Sequence, residues 1–216
     1  MSIKVNIGCG RTPTEGWLNF DNSPAIKLAK SPFKYKFAKA LGLLNEQQIE
    51  NIKWNMEHKH NIQFADATKS IPLQTSSVDY IYTSHMVEHL SQKGVRSFLR
   101  EVKRVLKVGG VVRIAVPDLR IAIDDYLKTN DADAFMRWID MQAPEINTLT
   151  QKIKLFVYGY RHHQWMYDGA SLSKLLIEMG FSSVEICKDG KTNIIDADCL
   201  NLYEREEQSV YVEGIN

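Results

Sequence analysis

Apolar residues along this chain fall into short strand-like runs that alternate with stretches of helical spacing. Ile3 to Ile7, Trp17 to Phe20, Ile62 to Phe64, Val78 to Tyr82 and Val111 to Val116 read as strands. Between the last two, Val95, Phe98, Leu99, Val102, Val105 and Leu106 recur at helical spacing, which predicts a crossover helix ended by the pair Gly109-Gly110. A second helical face, Leu172, Leu175, Leu176 and Met179, stops at Gly180 and precedes the runs Val184 to Cys187 and Val210 to Val212. No helical pattern separates those two runs, so one of them is expected to run antiparallel. The alternation predicts an α/β fold, a doubly wound and mostly parallel sheet covered by helices.

Two intervals exceed what a crossover needs, and each must hold its own structure or a functional lid. The first, 22–61, carries a helical pattern over Leu41 to Glu57. Before it stand Lys27, Lys30, Lys34, Lys36 and Lys39, interleaved with Phe33, Tyr35 and Phe37. No acidic residue falls between Ala25 and Asn45, a composition that attracts phosphate-bearing substrates or anionic membrane surfaces. Pro24 and Pro32 argue against one continuous membrane-binding helix. The second interval, 118–168, shows helix-like pieces at Ile121 to Leu127, Ala134 to Met141 and Leu149 to Tyr158. With no Pro/Gly/Ser linker, residues 1–216 read as one domain with two inserts.

Composition narrows the function. The chain has 216 residues, 44% of them hydrophobic, enough for one packed core. A formal net charge of +1 is too balanced for a surface that seeks nucleic acid, and no nucleic-acid partner is expected. Cys9, Cys187 and Cys199 match no disulfide framework or cysteine zinc spacing, and no apolar run is long enough for a transmembrane segment. The expected setting is the cytoplasm.

Candidate chemistry begins at Val5-Asn6-Ile7-Gly8-Cys9-Gly10, where two glycines follow a strand and let the backbone approach a ligand. Pro13 stands where the dinucleotide fingerprint needs its third glycine, which disfavours a pyrophosphate cradle. Asp21, at the end of the second strand, is placed to accept both ribose hydroxyls of a nucleoside.

Further on stand Phe64-Ala65-Asp66-Ala67, then Ser77 through Leu90, then Arg100-Glu101-Val102-Lys103-Arg104-Val105-Leu106-Lys107-Val108-Gly109-Gly110. In this order the chain resembles the class I S-adenosylmethionine-dependent methyltransferases of the small-molecule branch, from Val5 to Gly180. The resemblance implies a seven-stranded sheet with an antiparallel last strand and S-adenosylmethionine as cofactor. It also implies Gly8 and Gly10 near the methionine part, Asp21 at the ribose, Asp66 at the adenine amino group with Ala67 beside the ring, and Ser84 and His85 by the methionine moiety. Asn6 and Thr12 replace an acidic residue and a third glycine of the usual pattern, and the link from Gly10 to Asp21 is short for the usual first helix. A Gly-Trp-Leu-Asn-x-Asp run like Gly16 to Asp21 occurs in shortened members of sugar pathways.

Two histidine clusters remain. His85-Met86-Val87-Glu88-His89 matches the inverted zincin pattern H-x-x-E-H, but the strand ending before His85 puts its two histidines across a strand-to-helix turn, so no metal is expected. Glu88 and His89 are expected to open the next helix. The second cluster, Tyr158 to Asp168, faces the acceptor in the resembled topology, with Asp168 also suited to cap the following helix. The expected reaction is methyl transfer to a small-molecule acceptor, by analogy a hydroxyl of a sugar or glycan precursor. His162 or His163 would serve as base, with His89, Tyr160, Arg161, Trp165 and Tyr167 around the acceptor. The insert 22–61 would be a lid and 118–168 would lie on the acceptor side. The rival readings are a nicotinamide-dependent oxidoreductase, a zinc hydrolase on His85 and His89, and a cofactor-binding partner protein without turnover.

Overall fold

A computed structural model describes residues 2–58, 61–141, 148, 162–197 and 199–216. Its strands are β1 Lys4–Ile7, β2 Leu18–Asp21, β3 Ile62–Phe64, β4 Val78–Ser84, β5 Leu106–Pro117, β6 Ser182–Cys187 and β7 Ser209–Ile215. They form one seven-stranded sheet in the order β3-β2-β1-β4-β5-β7-β6. Pairings from β3 to β5 are parallel, whereas β7 runs antiparallel to both β5 and β6. The order reverses direction between β1 and β4, and open α/β sheets bind ligands outside the carboxyl ends of strands at such a point.

The periodic stretch after β4 is helix α4, Gln92–Val105, opened by the Ser91 hydroxyl accepting from the Gly94 N–H at 3.1 Å. Its stripe of Val95, Phe98, Leu99, Val102 and Val105 is wholly buried against the sheet, each side chain contributing at most about 1.5–3 kcal/mol of burial. The helix ends differently from the sequence expectation. Leu106 leaves it with extended backbone and begins β5 directly. Gly109 takes φ +79° inside that strand, and a Cβ on Gly110 would lie 3.0 Å from the carbonyls of Asp79 and Lys107. The glycine pair therefore shapes the edge of β5, not the helix cap.

The first insert folds as α1 Pro24–Ala29, α2 Pro32–Ala40 and α3 Glu46–Glu57. Both prolines start helices, where their missing N–H costs nothing. The lysine-rich stretch is itself helical, and α3 begins only at Glu46 because Asn45 and Gln48 form a reciprocal capping box there. Helix α2 buries no residue and leaves Phe33 and Phe37 exposed. The second insert supplies α5 Leu119–Thr129 and α6 Ala132–Ile139; the helix-like piece at 149–158 lies outside the described residues. Helix α7, Gly169–Glu178, then packs Leu172, Leu175 and Leu176 into the main core. Among the described residues no helix is long and apolar enough to cross a membrane.

Candidate active site

Strand β1 ends at Ile7, and the N–H groups of Gly8 and Cys9 both donate to the Phe20 carbonyl, at 2.8 and 3.3 Å. Gly8 and Gly10 adopt φ of +74° and +54°, the left-handed region that side chains disfavour. At Gly8 space matters as well, since a Cβ there would sit 2.6 Å from the Met86 side chain. The link from Gly10 to β2 holds no helix. It is a stapled loop in which Asn19 bonds Thr14 and Trp17, and buried Asn6 donates to the Thr14 hydroxyl at 3.0 Å. Asn6, the departure from the resembled pattern, thus holds the shortened loop in shape.

At the carboxyl ends of these strands lies a cavity of about 500 Å³ lined by Gly8, Gly10, Asp21, Asp66 and Ala67, and by His85, His89 and Gln164 from the segments after β4 and before α7. Asp21 is oriented at its rim by the N–H groups of Gly10 at 3.0 Å and Ser23 at 2.7 Å. Asp66 accepts from the Thr68 hydroxyl at 2.6 Å and pairs with Lys69 at 2.9 Å. Burial alone would raise the Asp66 carboxyl, but those bonds outweigh it and hold the group below the usual range. Ser84 lines an adjoining cavity instead, together with Gly8, Gly10 and His85.

The far wall begins where β4 stops. His85 turns the chain with φ +49°, a conformation that costs a non-glycine residue about 1–3 kcal/mol and persists only when its surroundings enforce it. Here its N–H is held by the Ala115 carbonyl at 2.9 Å and its Nε2 meets the Ser209 hydroxyl at 3.0 Å. Glu88 and His89 do not open a helix. They lie in a 3-10 turn, Val87–His89, and α4 starts after it. Glu88 is 1% exposed, and among the described residues neither carboxylate oxygen accepts a hydrogen bond. Burial pushes the His89 imidazole below the ordinary histidine range despite the attraction of Glu88.

A strap completes the wall. The N–H groups of Gln164 and Trp165 both donate to the Glu88 carbonyl, at 2.7 and 3.2 Å, and the Gln164 amide donates to the His89 carbonyl at 2.6 Å. These bonds bring the His163 ring within 5.0 Å of the His89 ring. His163 Nδ1 lies 2.8 Å from the Ile139 carbonyl, which only accepts, so Nδ1 carries the proton and Nε2 the lone pair. Neither His162 nor His163 lines the cavity; His162 is held by Asp140 at 3.0 Å. Tyr167 is 2% exposed and belongs to the core, and Trp165 points largely to solvent. Tyr160 and Arg161 lie outside the described residues. Asp168 caps α7, accepting from the Ser171 N–H at 2.7 Å. The approach of Gln164 to His89 had no signal in the sequence, because residues 75 apart are joined only by the fold.

Comparison with known proteins agrees with this architecture. Residues 32–114 match a family model described as a methyltransferase domain. A search of curated proteins finds no match. Among solved structures, the complex of DhpI with S-adenosylhomocysteine superposes with a TM-score of 0.51 at 11% identity, over 99% of this chain and 76% of that one. A SAM-dependent methyltransferase from Methanosarcina mazei also gives 0.51, at 13% identity, over 99% and 91%. These superpositions establish the fold. Residues 32–114 are thus similar to a methyltransferase domain, and both the match and the fold point to S-adenosylmethionine as the cofactor. The cleft fits that cofactor in its donor set: a carboxylate for a ribose diol at the end of β2, a second for an exocyclic amine at the end of β3, and a glycine turn admitting close approach.

Proposed function

We propose that this chain transfers a methyl group from S-adenosylmethionine to a small molecule, a hydroxyl of a sugar or related polyol being the acceptor the site suits best. The observation that carries this reading is that one cavity is lined both by two carboxylates, Asp21 and Asp66, and by the polar groups of His85, His89 and Gln164. When bound, S-adenosylmethionine supplies a sulfonium methyl that passes to a nucleophile and leaves a neutral thioether. The chain's part is to hold both reactants in line and exclude water. Asp21 fixes the ribose, Asp66 and Ala67 the adenine, and Gly8 admits the methionine end. The imidazole wall with Gln164 offers polar groups suited to a hydroxylated acceptor, and the hydroxyl proton leaves at that wall. Helix α1 begins at the Asn22–Ser23–Pro24 rim of the cavity and carries Lys27, a cation that favours an acceptor bearing phosphate. Insert 22–61 contributes that rim and so serves as the cleft's cover.

Calorimetry with S-adenosylhomocysteine and with NAD tests the cofactor half, and only the former is expected to bind. Incubation with methyl-labelled cofactor and a panel of sugars and sugar phosphates tests the acceptor half. Binding of NAD alone overturns the methyltransferase reading; label on a nitrogenous or macromolecular acceptor alone overturns the hydroxyl assignment.

A further inference from the structure

The wall opposite the cofactor carboxylates contains a second binding arrangement. Glu88, His89 and His163 each offer one ligand atom, and these atoms lie within 4.8 Å of one another. A filled tetrahedral site with bonds of about 2.1 Å would separate its donors by roughly 3.4 Å, so closure asks only for modest side-chain rotation. We infer that these three residues bind a first-row divalent transition-metal ion beside the methyl-transfer cleft.

Three features support ligation over an ordinary buried cluster. The first is the Glu88 carboxylate, which is 1% exposed with neither oxygen hydrogen-bonded among the described residues. A buried charge is costly unless it is paired or coordinates a metal. His85 Nδ1 stands 3.3 Å from Glu88 Oε1 but makes no hydrogen bond to it, and the same nitrogen is contacted by Arg205 at 3.4 Å. The second is His163, whose Nδ1 proton is spent on the Ile139 carbonyl. That outer bond fixes tautomer and ring orientation in metal-binding histidines and leaves Nε2 as the ligand. The third is His89, whose Nδ1 is buried with no hydrogen-bond partner among the described residues.

Two imidazoles and one carboxylate suit zinc or its first-row neighbours, and such a set leaves at least one position for an oxygen ligand. His89 also lines the cofactor cavity, so that position adjoins the acceptor. Taken with the proposed methyl transfer, on which this consequence rests, the cation would orient the acceptor hydroxyl and make its proton easier to lose to solvent. His163 then serves as a ligand, not as the base. The H-x-x-E-H pattern pointed to the wrong pair: His85 faces Ser209 and Arg205, while the third ligand comes from 74 residues beyond His89.

The test uses the full chain, stripped with chelator, in a Cys199→Ser background because the Cys199 thiol is exposed and could take zinc by itself. Zinc is titrated against a chromophoric competitor, and manganese is followed by electron paramagnetic resonance. The expected result is one equivalent per chain, with nitrogen modulation of the manganese signal from coordinated imidazole. Glu88→Gln and His163→Ala should each weaken binding by more than about tenfold, a loss that even outer partners of metal ligands reach. S-adenosylhomocysteine affinity, measured on the same samples without metal, reports folding and the cofactor site separately. Substoichiometric metal, no nitrogen modulation, or affinity that survives both substitutions overturns the inference. Should Glu88→Gln fail to fold, the wild-type modulation and His163→Ala decide it.

Discussion

Glu213 and Glu88 are both 1% exposed, yet the fold treats them in opposite ways. Glu213, on β7, accepts from Arg113 at 2.8 Å, from the Asn193 N–H at 2.8 Å and amide at 3.0 Å, and from the Thr192 hydroxyl. Arg113 in turn donates to the Lys191 carbonyl at 2.8 Å and lies over the Tyr211 ring. That glutamate clamps the loop after β6 to the central sheet. Glu88 has the same charge and the same depth with no hydrogen bond accepted among the described residues. A buried carboxylate with all its donors supplied by the protein serves stability, whereas one without them is suited to a ligand from outside. The difference separates the clamp between β5, β7 and the loop after β6 from the turn after β4.

The largest effect expected from this contrast is at the supported glutamate. Glu213→Ala leaves Arg113 buried and unpaired, and breaking a buried pair from one side costs about 3–5 kcal/mol. Urea unfolding followed by circular dichroism measures it. A loss below about 1 kcal/mol would mean that water replaces the missing partner and the pair is no clamp.

Asp21 stands between the two extremes, oriented by backbone N–H groups and facing the cavity. Asp21→Ala should weaken S-adenosylhomocysteine binding by about 1–3 kcal/mol, the range for hydrogen bonds to a charged group. Thermal stability should change less than binding does. Unchanged affinity in calorimetry on a folded variant would remove Asp21 from the ribose site.

At Glu88 the sign reverses. In chelator-treated protein, Glu88→Gln removes a buried charge that accepts no hydrogen bond among the described residues and keeps the shape, so stability should rise by roughly 1–2 kcal/mol. The same urea experiment as for Glu213 reads it. Destabilisation by the substitution would show that a donor reaches Glu88 after all, and the contrast between the two glutamates would collapse.

Much of this was legible in the sequence because it is local. Strand runs such as Val78 to Tyr82 and the stripe Val95 to Val105 encode burial by their period alone. Asp21 ends β2 and Asp66 stands two residues past β3, so their placement on one cavity followed from strand order. The acceptor wall was less legible for a physical reason. Gln164 and Trp165 bond the Glu88 carbonyl, and the Gln164 amide the His89 carbonyl, across a long insert, and nothing in the spacing signals which histidine will be pinned. Tyr167 read as a site residue for its chemistry, but the bridge between Asp118 and Tyr167 pulls it into the core. Gly109 and Gly110 misled because a helix running straight into a strand needs no cap glycine, while the start of β5 takes a positive φ at Gly109 and leaves little room for a side chain at Gly110.

The smallest effect concerns Asp168, a carboxylate that is satisfied but stands near the surface. It accepts from the Ser171 N–H and shares a reciprocal capping box with that residue. Replacing such a cap by alanine costs about 1 kcal/mol, which Asp168→Ala should show at pH 7. Hydrogen bonds from Ser171 lower the Asp168 pKa from 3.8 in the folded state, so folding favours the charged form. A group with a depressed folded pKa contributes stability that is present above its unfolded value and lost as pH falls through the folded one. The gap between wild type and Asp168→Ala should therefore stay constant above about pH 5 and narrow only below 3.8, where unfolding curves at stepped pH can follow it. A gap that closes between pH 6 and 7 would tie Asp168 to a histidine of the acceptor wall, and would make it part of the site and not merely the cap of the helix behind it.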